Sequence, residues 1–232
     1  MATVLLPLFL LASGPLGAQA SLLDQGEQLF LEDRLEEALP VLEKAVLQNP
    51  GNERVYLYLG TIYEQLGQFG RAVTILQKGT LVADDYLDLI YFNIGNNLIK
   101  QDKLVLADEM YTRAAAANPR LPAVYLNRAN NRVQLEEYAS AVDDYSLYLT
   151  LQPATDQREN IEKIIALLSA GIETERVRIR EDEARRAAEE ARQKALLSNV
   201  LNSLQNAADG TKNISVETEG IEEVQEESDI VD

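Results

Sequence analysis

The sequence predicts an all-α fold, an α-solenoid of four consecutive helix pairs followed by further helix. Three observations predict it: small residues recur with a period of about 34 residues, prolines fall near the ends of the repeats, and 46% of the 232 residues are hydrophobic. The small residues align as Gly60 with Ala72, Gly95 with Ala107, and Ala129 with Ala141. A fixed period of this length is typical of stacked repeats, which act by binding rather than by catalysis.

Four repeats fit this register, at about residues 21–52, 53–86, 87–120 and 121–154. Small residues let two antiparallel helices approach closely, and larger residues fill the space between them. One helix pair cannot bury its own apolar face, whereas stacked pairs can. Proline cannot continue a helix and disfavours helical geometry in the preceding residue. Turns between repeats are therefore predicted at Asn49-Pro50, Asn118-Pro119 and Gln152-Pro153.

The aligned residues of the third repeat are Tyr91, Ile94, Gly95, Leu98, Ala107, Tyr111, Ala114 and Pro119. This pattern resembles the tetratricopeptide repeat family, and the resemblance covers residues 21–153. It implies a right-handed solenoid in which the first helix of each repeat lines a concave face that binds a protein or peptide partner. Arg128 and Arg132 depart from the pattern, because the family usually has apolar residues there. We therefore expect this helix to be less completely covered by its neighbour.

The resemblance also implies which side chains point into the concave face. They are Asn93, Asn96, Asn127 and Asn130, with Arg54, Tyr58 and Lys100 at the edges. An asparagine amide offers both a donor and an acceptor, so it matches a peptide backbone without recognising side chains. Asparagine is also common at these positions throughout the family. The pattern therefore identifies the face more firmly than it indicates a ligand.

Two apolar residues, Phe92 and Leu126, are predicted to form the floor of this groove. Relatives that clamp the carboxylate terminus of a chaperone carry basic residues at this position. The resemblance therefore implies a groove for a hydrophobic peptide, and it argues against a cytosolic co-chaperone.

The composition narrows the function further. The chain contains no histidine, cysteine or tryptophan, which excludes a Ser-His-Asp triad, a Cys-His nucleophile and any His- or Cys-ligated metal. We expect no enzyme, no cofactor and no small-molecule substrate. The net charge of −17 repels nucleic acid, so no nucleic-acid partner is expected either.

Residues 1–20 have the layout of a secretory signal peptide. An apolar run from Val4 to Ala12 precedes a small-x-small site that ends at Ala20, where cleavage is predicted. We expect an exported protein, most simply one of the bacterial periplasm. No lysine or arginine precedes the apolar run, so an uncleaved segment that anchors the protein to the membrane is the alternative.

Three segments are predicted after the repeats. Residues 155–171 place Ile161, Ile164, Ile165 and Leu168 on one helical stripe that caps the fourth repeat, and Gly171 is the predicted end of that helix. Residues 172–208 predict a charged helix, and the acidic residues 209–232 predict disorder.

The charged helix ends in a cluster of apolar residues, Leu197, Val200, Leu201 and Leu204. Either this helix is simply solvated or folds back on the solenoid, or the cluster docks a partner or a second copy of the chain. The second alternative describes a homo-oligomer whose groove is filled in cis or by a neighbour's tail.

Overall fold

The structure is a computed structural model that describes residues 21–218, with side chains as far as residue 209. Its helices are α1 (Leu22–Leu31), α2 (Leu35–Gln48), α3 (Glu53–Gln65), α4 (Phe69–Gly79), α5 (Leu87–Ile99), α6 (Leu104–Ala117), α7 (Pro122–Gln134), α8 (Tyr138–Leu151) and α9 (Arg158–Thr218). The predicted signal peptide and residues 219–232 of the predicted acidic tail lie outside the described residues. Helices α1 to α8 form the four predicted pairs, which confirms the fold class.

The chain divides into two parts, a repeat domain that ends at Ile172 and a helical segment that begins at Glu173. Within the repeat domain, consecutive first helices contact each other, as α1 with α3, α3 with α5, and α5 with α7. The second helices α2, α4, α6 and α8 make no such contacts with one another. The first helices therefore lie on the inner, concave face, and the second helices form the outer, convex face.

Close packing within each pair depends on the predicted small residues. A Cβ atom added to Gly60 would lie 2.5 Å from Cγ of Leu76, and one added to Gly95 would lie 2.6 Å from Cε1 of Tyr111. Real Cβ atoms do not approach other heavy atoms so closely, so a larger residue would separate the two helices. The structure thus confirms why the sequence repeats a glycine at these points.

One backbone feature recurs in all four turns within the helix pairs. The same position has φ between 58° and 70° at Asp33, Gly67, Asp102 and Glu136. This left-handed conformation costs a residue with a side chain about 1–2 kcal/mol, whereas glycine adopts it freely. Glu136 is the least suited of the four, since aspartate tolerates the conformation better than glutamate does.

Glu136→Gly is therefore expected to raise the free energy of unfolding by about 0.5–1 kcal/mol, because the relieved strain exceeds the added flexibility of the unfolded chain. Urea denaturation of the full chain followed by circular dichroism measures the change. The matched control is Gly67→Ala, which should lower the same free energy. A Glu136→Gly variant that is less stable than the parent would refute the strain argument.

The first turns of α9 cover the fourth repeat. Ile161 is only 3% exposed, and Ile165 and Leu168 pack with it against the cluster that contains Tyr145 and Leu149. Ile164, which was expected to share this stripe, is 37% exposed.

Two sequence predictions for the region after the repeats are wrong. Helix α9 does not end at Gly171, and it continues as far as Thr218, through the first ten residues of the segment predicted to be disordered. A glycine inside a helix costs only about 1 kcal/mol, which the alanine, leucine, glutamate and arginine residues around it offset. No helix in residues 21–218 is long and apolar enough to span a membrane.

Candidate functional site

Two tyrosine–asparagine pairs with the same spacing join the first and second helices of the third and fourth repeats. The Tyr111 hydroxyl donates to Oδ1 of Asn96 over 3.0 Å, and the Tyr145 hydroxyl donates to Oδ1 of Asn130 over 2.6 Å. Each tyrosine stands 15 residues after its asparagine, on the second helix of the same repeat. Because the amide oxygen accepts this hydrogen bond, the orientation of the amide is fixed, and its NH₂ group can donate a hydrogen bond to another acceptor.

A hydrogen bond also joins the third repeat to the fourth. Nδ2 of Asn127 donates to Oδ1 of Asn96 over 2.8 Å, so this oxygen accepts from both Asn127 and Tyr111. Asn96 and Asn127 are 5% and 4% exposed. Oδ1 of Asn127 is buried and has no hydrogen-bond partner among the described residues. An unmet acceptor in a buried place is unfavourable, so it offsets part of the stability that this hydrogen-bond network provides.

A charged cluster lies where the first two repeats meet. Arg54 forms a salt bridge with Glu27, and the ring of Tyr58 packs edge-on against Phe30 with centroids 5.4 Å apart. Burial raises the pKa of Glu27, although the Arg54 guanidinium acts in the opposite direction. Arg54 was predicted to offer its charge to a ligand, but that charge is already balanced within the protein.

A second carboxylate, Glu64, lies between the second and third repeats. Nδ2 of Asn97 donates to its Oε2 atom over 3.2 Å, and burial raises the pKa of Glu64 above its ordinary value. The Asn97 hydrogen bond and the charge of Lys100 oppose this shift without cancelling it. The carboxylate is therefore less favourable in the folded protein than in the unfolded chain.

Glu64→Gln is expected to raise the free energy of unfolding at neutral pH, because it removes a charge that the fold does not fully solvate. A carboxyl whose folded pKa is raised stabilises the protein most in acid, and that contribution is lost as the pH rises through the folded pKa. The difference between variant and parent should therefore vanish below about pH 4.5, the ordinary pKa of glutamate. Urea denaturation across this pH range tests it, with the exposed Glu109→Gln as control. Equal effects of the two variants at every pH would contradict the argument.

Comparison with known proteins establishes the fold. A tetratricopeptide repeat family model matches residues 29–90. The crystal structure of MamA aligns with a TM-score of 0.58 at 21% identity and covers 65% of this chain and 80% of that one. The fold is a tetratricopeptide repeat solenoid. The structure of YrrB, described as a tetratricopeptide repeat protein with an unusual peptide-binding site, aligns with a TM-score of 0.56 at 16% identity, over 66% of this chain and 76% of that one.

A curated relative carries the same repeats. Tetratricopeptide repeat protein 16 of Homo sapiens is 25% identical over 136 residues, which is 54% of this chain. The match spans only 16% of the length of that relative. The likeness therefore concerns a small part of the human protein and not the whole of it.

The predicted apolar floor of the tetratricopeptide groove is wrong. Phe92 is 0% exposed and its ring lies 6.0 Å from that of Tyr111, while Leu126 is 6% exposed and packs with Tyr125 and Tyr145. These side chains fill the space between helices, so a ligand cannot contact them without displacing the core. Among the predicted groove residues, Asn130 and Lys100 are exposed, and Asn93 is half-buried.

The expectation that α7 is poorly covered because of Arg128 and Arg132 is also wrong. Their side chains are only 12% and 17% exposed, and both form salt bridges with Asp144, whose side chain is 5% exposed. Arg132 is also paired with Asp108 at 2.9 Å. Guanidinium groups thus replace the usual apolar contacts with an ion-pair network that joins α6, α7 and α8.

The predicted docking cluster of the C-terminal segment is accessible. Leu197, Val200, Leu201 and Leu204 are between 48% and 63% exposed. No group of three or more aspartate, glutamate, histidine or cysteine side chains in the described part of the chain gathers to hold a metal ion.

Proposed function

We propose that the protein is an interaction scaffold whose concave tetratricopeptide face binds an extended segment of a partner protein. The observation that carries this proposal is the amide of Asn130, which is exposed on α7 and held in a fixed orientation by the Tyr145 hydroxyl. Amides fixed in this way meet the alternating donors and acceptors of an extended backbone at little entropic cost.

The recognition that follows is directed at the peptide backbone. Phe92 and Leu126, the apolar side chains expected to form the floor of the groove, are buried. A hydrophobic side chain of a ligand therefore has no apolar surface to contact there. The amide of Asn130 has its oxygen held by Tyr145 and its NH₂ group left to meet a backbone carbonyl. YrrB, which has this fold, has a peptide-binding site, and that supports a binding role over a catalytic one.

The proposed location is outside the cytoplasm. It rests on the signal-peptide layout of residues 1–20, with cleavage after Ala20 and release into a bacterial periplasm. The alternative is a protein that remains attached to the membrane by the same segment.

Selection of peptides from a display library against the full chain tests the binding proposal. A selected peptide should bind the parent, and Asn93→Ala combined with Asn130→Ala should weaken it at least about tenfold. Neither residue is fully buried, so the double variant should keep its fold. Gln77→Ala, an exposed polar residue on α4, is the matched control and should leave the affinity unchanged. Equal losses in the two variants, or none in either, would reject the concave site.

A second candidate function is self-association through the C-terminal segment. Five apolar side chains there are exposed by 48–65%, and exposed apolar clusters of this kind commonly mark an interface. They are Leu196, Leu197, Val200, Leu201 and Leu204.

Sedimentation velocity of the full chain distinguishes this candidate from a monomeric adaptor. If the cluster joins two copies, Leu197→Glu with Leu204→Glu should convert a concentration-dependent oligomer to a monomer. Asn202→Glu adds charge to the opposite side of the same turns and should leave the oligomer intact. A parent chain that sediments as a monomer at every concentration removes the candidate.

A further inference from the structure

A cavity opens on the convex face, away from the asparagines. It lies between α2 and α4, which do not contact each other, and it has a volume of about 280 Å³. Four of its eight lining residues are apolar or aromatic, Val46, Leu59, Tyr63 and Ile75, and the other four are polar or charged. Small-molecule sites usually enclose about 300–1,000 Å³, so this cavity suits a side chain of a docked segment better than a whole small molecule.

The edge of the cavity carries two cations without a carboxylate partner. Arg71 and Lys78 both line it from α4 and are exposed. Neither forms a salt bridge within the described residues. The Arg71 guanidinium lies 5.2 Å from the centroid of the Tyr63 ring and donates to Gln68 over 2.9 Å, which holds it at the edge.

One acidic side chain also lines the cavity, but it is engaged. The Tyr63 hydroxyl donates to Oε1 of Glu43 over 2.7 Å. Glu43 therefore lies on α2 across from the two cations without pairing with them. The edge formed by α4 remains positive, in a chain whose net charge is −17.

The fourth repeat shows how the same place is filled elsewhere in the molecule. The residues 69 positions after Leu59, Tyr63 and Ile75 are Arg128, Arg132 and Asp144. There the two arginine side chains occupy the equivalent place, and their positive charges form salt bridges with Asp144. In the second repeat the space is apolar and open, and its cations lack an anion.

We propose that this convex cavity binds an acidic, aliphatic segment of a partner protein. One aliphatic side chain of the segment enters the cavity and contacts Val46 and Ile75, which are partly exposed. A carboxylate next to it in the segment pairs with Arg71 and Lys78. Because the chain as a whole repels acidic ligands, these two cations decide where such a segment binds. This site is separate from the concave face, so the protein holds two segments at once.

The test is a nuclear magnetic resonance titration of the full chain, labelled with ¹⁵N, with an acetylated peptide in which one leucine is flanked on each side by two glutamates. Saturable shifts are expected for backbone amides of α2 and α4 near Val46 and Thr74. Replacing all the flanking glutamates by lysine, or the leucine by alanine, should abolish saturation.

Variants of the protein separate this site from the concave one. Arg71→Ala with Lys78→Ala should weaken binding of the acidic peptide about tenfold or more. Both side chains are exposed, so the fold should persist, and circular dichroism checks this. Lys100→Ala removes a cation from the concave side and should leave the affinity unchanged.

Three results would overturn the proposal. One is the lack of saturable shifts at millimolar peptide. Another is a set of shifts confined to the first helices α3, α5 and α7. The third is equal affinity of the parent and the Arg71→Ala, Lys78→Ala variant. The proposal for the concave face is tested independently of this one, because its test uses Asn93, Asn130 and a selected peptide.

Discussion

Asp144→Ala is expected to lower the free energy of unfolding by about 3–5 kcal/mol, because it leaves the largely buried Arg128 guanidinium without its anion and removes one of the two close carboxylates of Arg132. In the native protein Oδ1 of Asp144 accepts from Nη2 of Arg128 over 2.6 Å, and Oδ2 accepts from Nη1 of Arg132 over 2.9 Å. Nε of Arg128 also donates to Oδ2 over 2.8 Å. Removal of one carboxylate thus breaks three hydrogen bonds in a nearly dry place.

Urea denaturation of the full chain measures this loss, and Asp143→Ala provides the matched control. Asp143 is adjacent in sequence but exposed, so its removal should change stability by less than about 0.5 kcal/mol. Similar effects of the two variants would show that the network contributes nothing beyond surface charge.

A second variant tests the same network by replacing all four of its charged residues with apolar residues. The first repeat has Leu39 at the position of Asp108, and the second repeat has Leu59, Tyr63 and Ile75 at the positions of Arg128, Arg132 and Asp144. A fourfold variant that carries those apolar residues is expected to recover most of the stability that Asp144→Ala loses, since apolar packing commonly replaces a buried ion network without net cost. A fourfold variant as unstable as Asp144→Ala would contradict this.

Tyr111→Ala is expected to lower the free energy of unfolding by about 3–5 kcal/mol, because it leaves a cavity in the core of the third repeat. Tyr111 is 0% exposed, and its ring fills the space beside Gly95 and Phe92. The hydroxyl is a smaller part of the effect. Tyr111→Phe removes only the hydrogen bond to Asn96 and should cost about 1 kcal/mol.

The two Tyr111 variants also separate stability from binding. Tyr111→Phe keeps the packing but removes one of the two hydrogen bonds that orient the Asn96 amide, so it should weaken a selected concave ligand while the protein stays folded. Tyr138→Ala, at 40% exposure on α8, is the control for loss of a tyrosine ring. Unchanged ligand affinity in Tyr111→Phe would show that the hydroxyl does not position the amide.

The helix pairs were predictable because a position with no room for a side chain must be occupied by a small residue, and such residues recur at a fixed spacing in the sequence. Glycine is required opposite Leu76 and opposite Tyr111, and the spacing of Gly60 and Gly95 therefore fixed the register of the helices. Of the asparagines expected to point into the groove, Asn130 is exposed and Asn93 half-buried, whereas Asn96 and Asn127 are buried. The tyrosines that orient them were also visible, since Tyr111 and Tyr145 each stand 15 residues after an asparagine, but nothing local indicates that hydrogen bond.

Other features depend on contacts between residues that are far apart in sequence. Phe92 lies on the face expected to be open, but the neighbouring helices close over it. The two arginines of α7 look anomalous until Asp108 and Asp144 are brought beside them from α6 and α8. The continuation of α9 through Gly171 reflects a sum of weak helix propensities, which a single stop signal does not outweigh.

The central claim is that the first helices of the repeats form the partner-binding face. Cross-linking mass spectrometry of the full chain, captured with its partner from the native source, tests this most directly, because lysines mark both faces of the repeat domain. Lys100 lies at the end of α5, whereas Lys44 and Lys78 lie on α2 and α4. We predict cross-links from Lys100 to a partner protein. Cross-links confined to Lys44 and Lys78, or only between copies of this chain, would contradict the concave site.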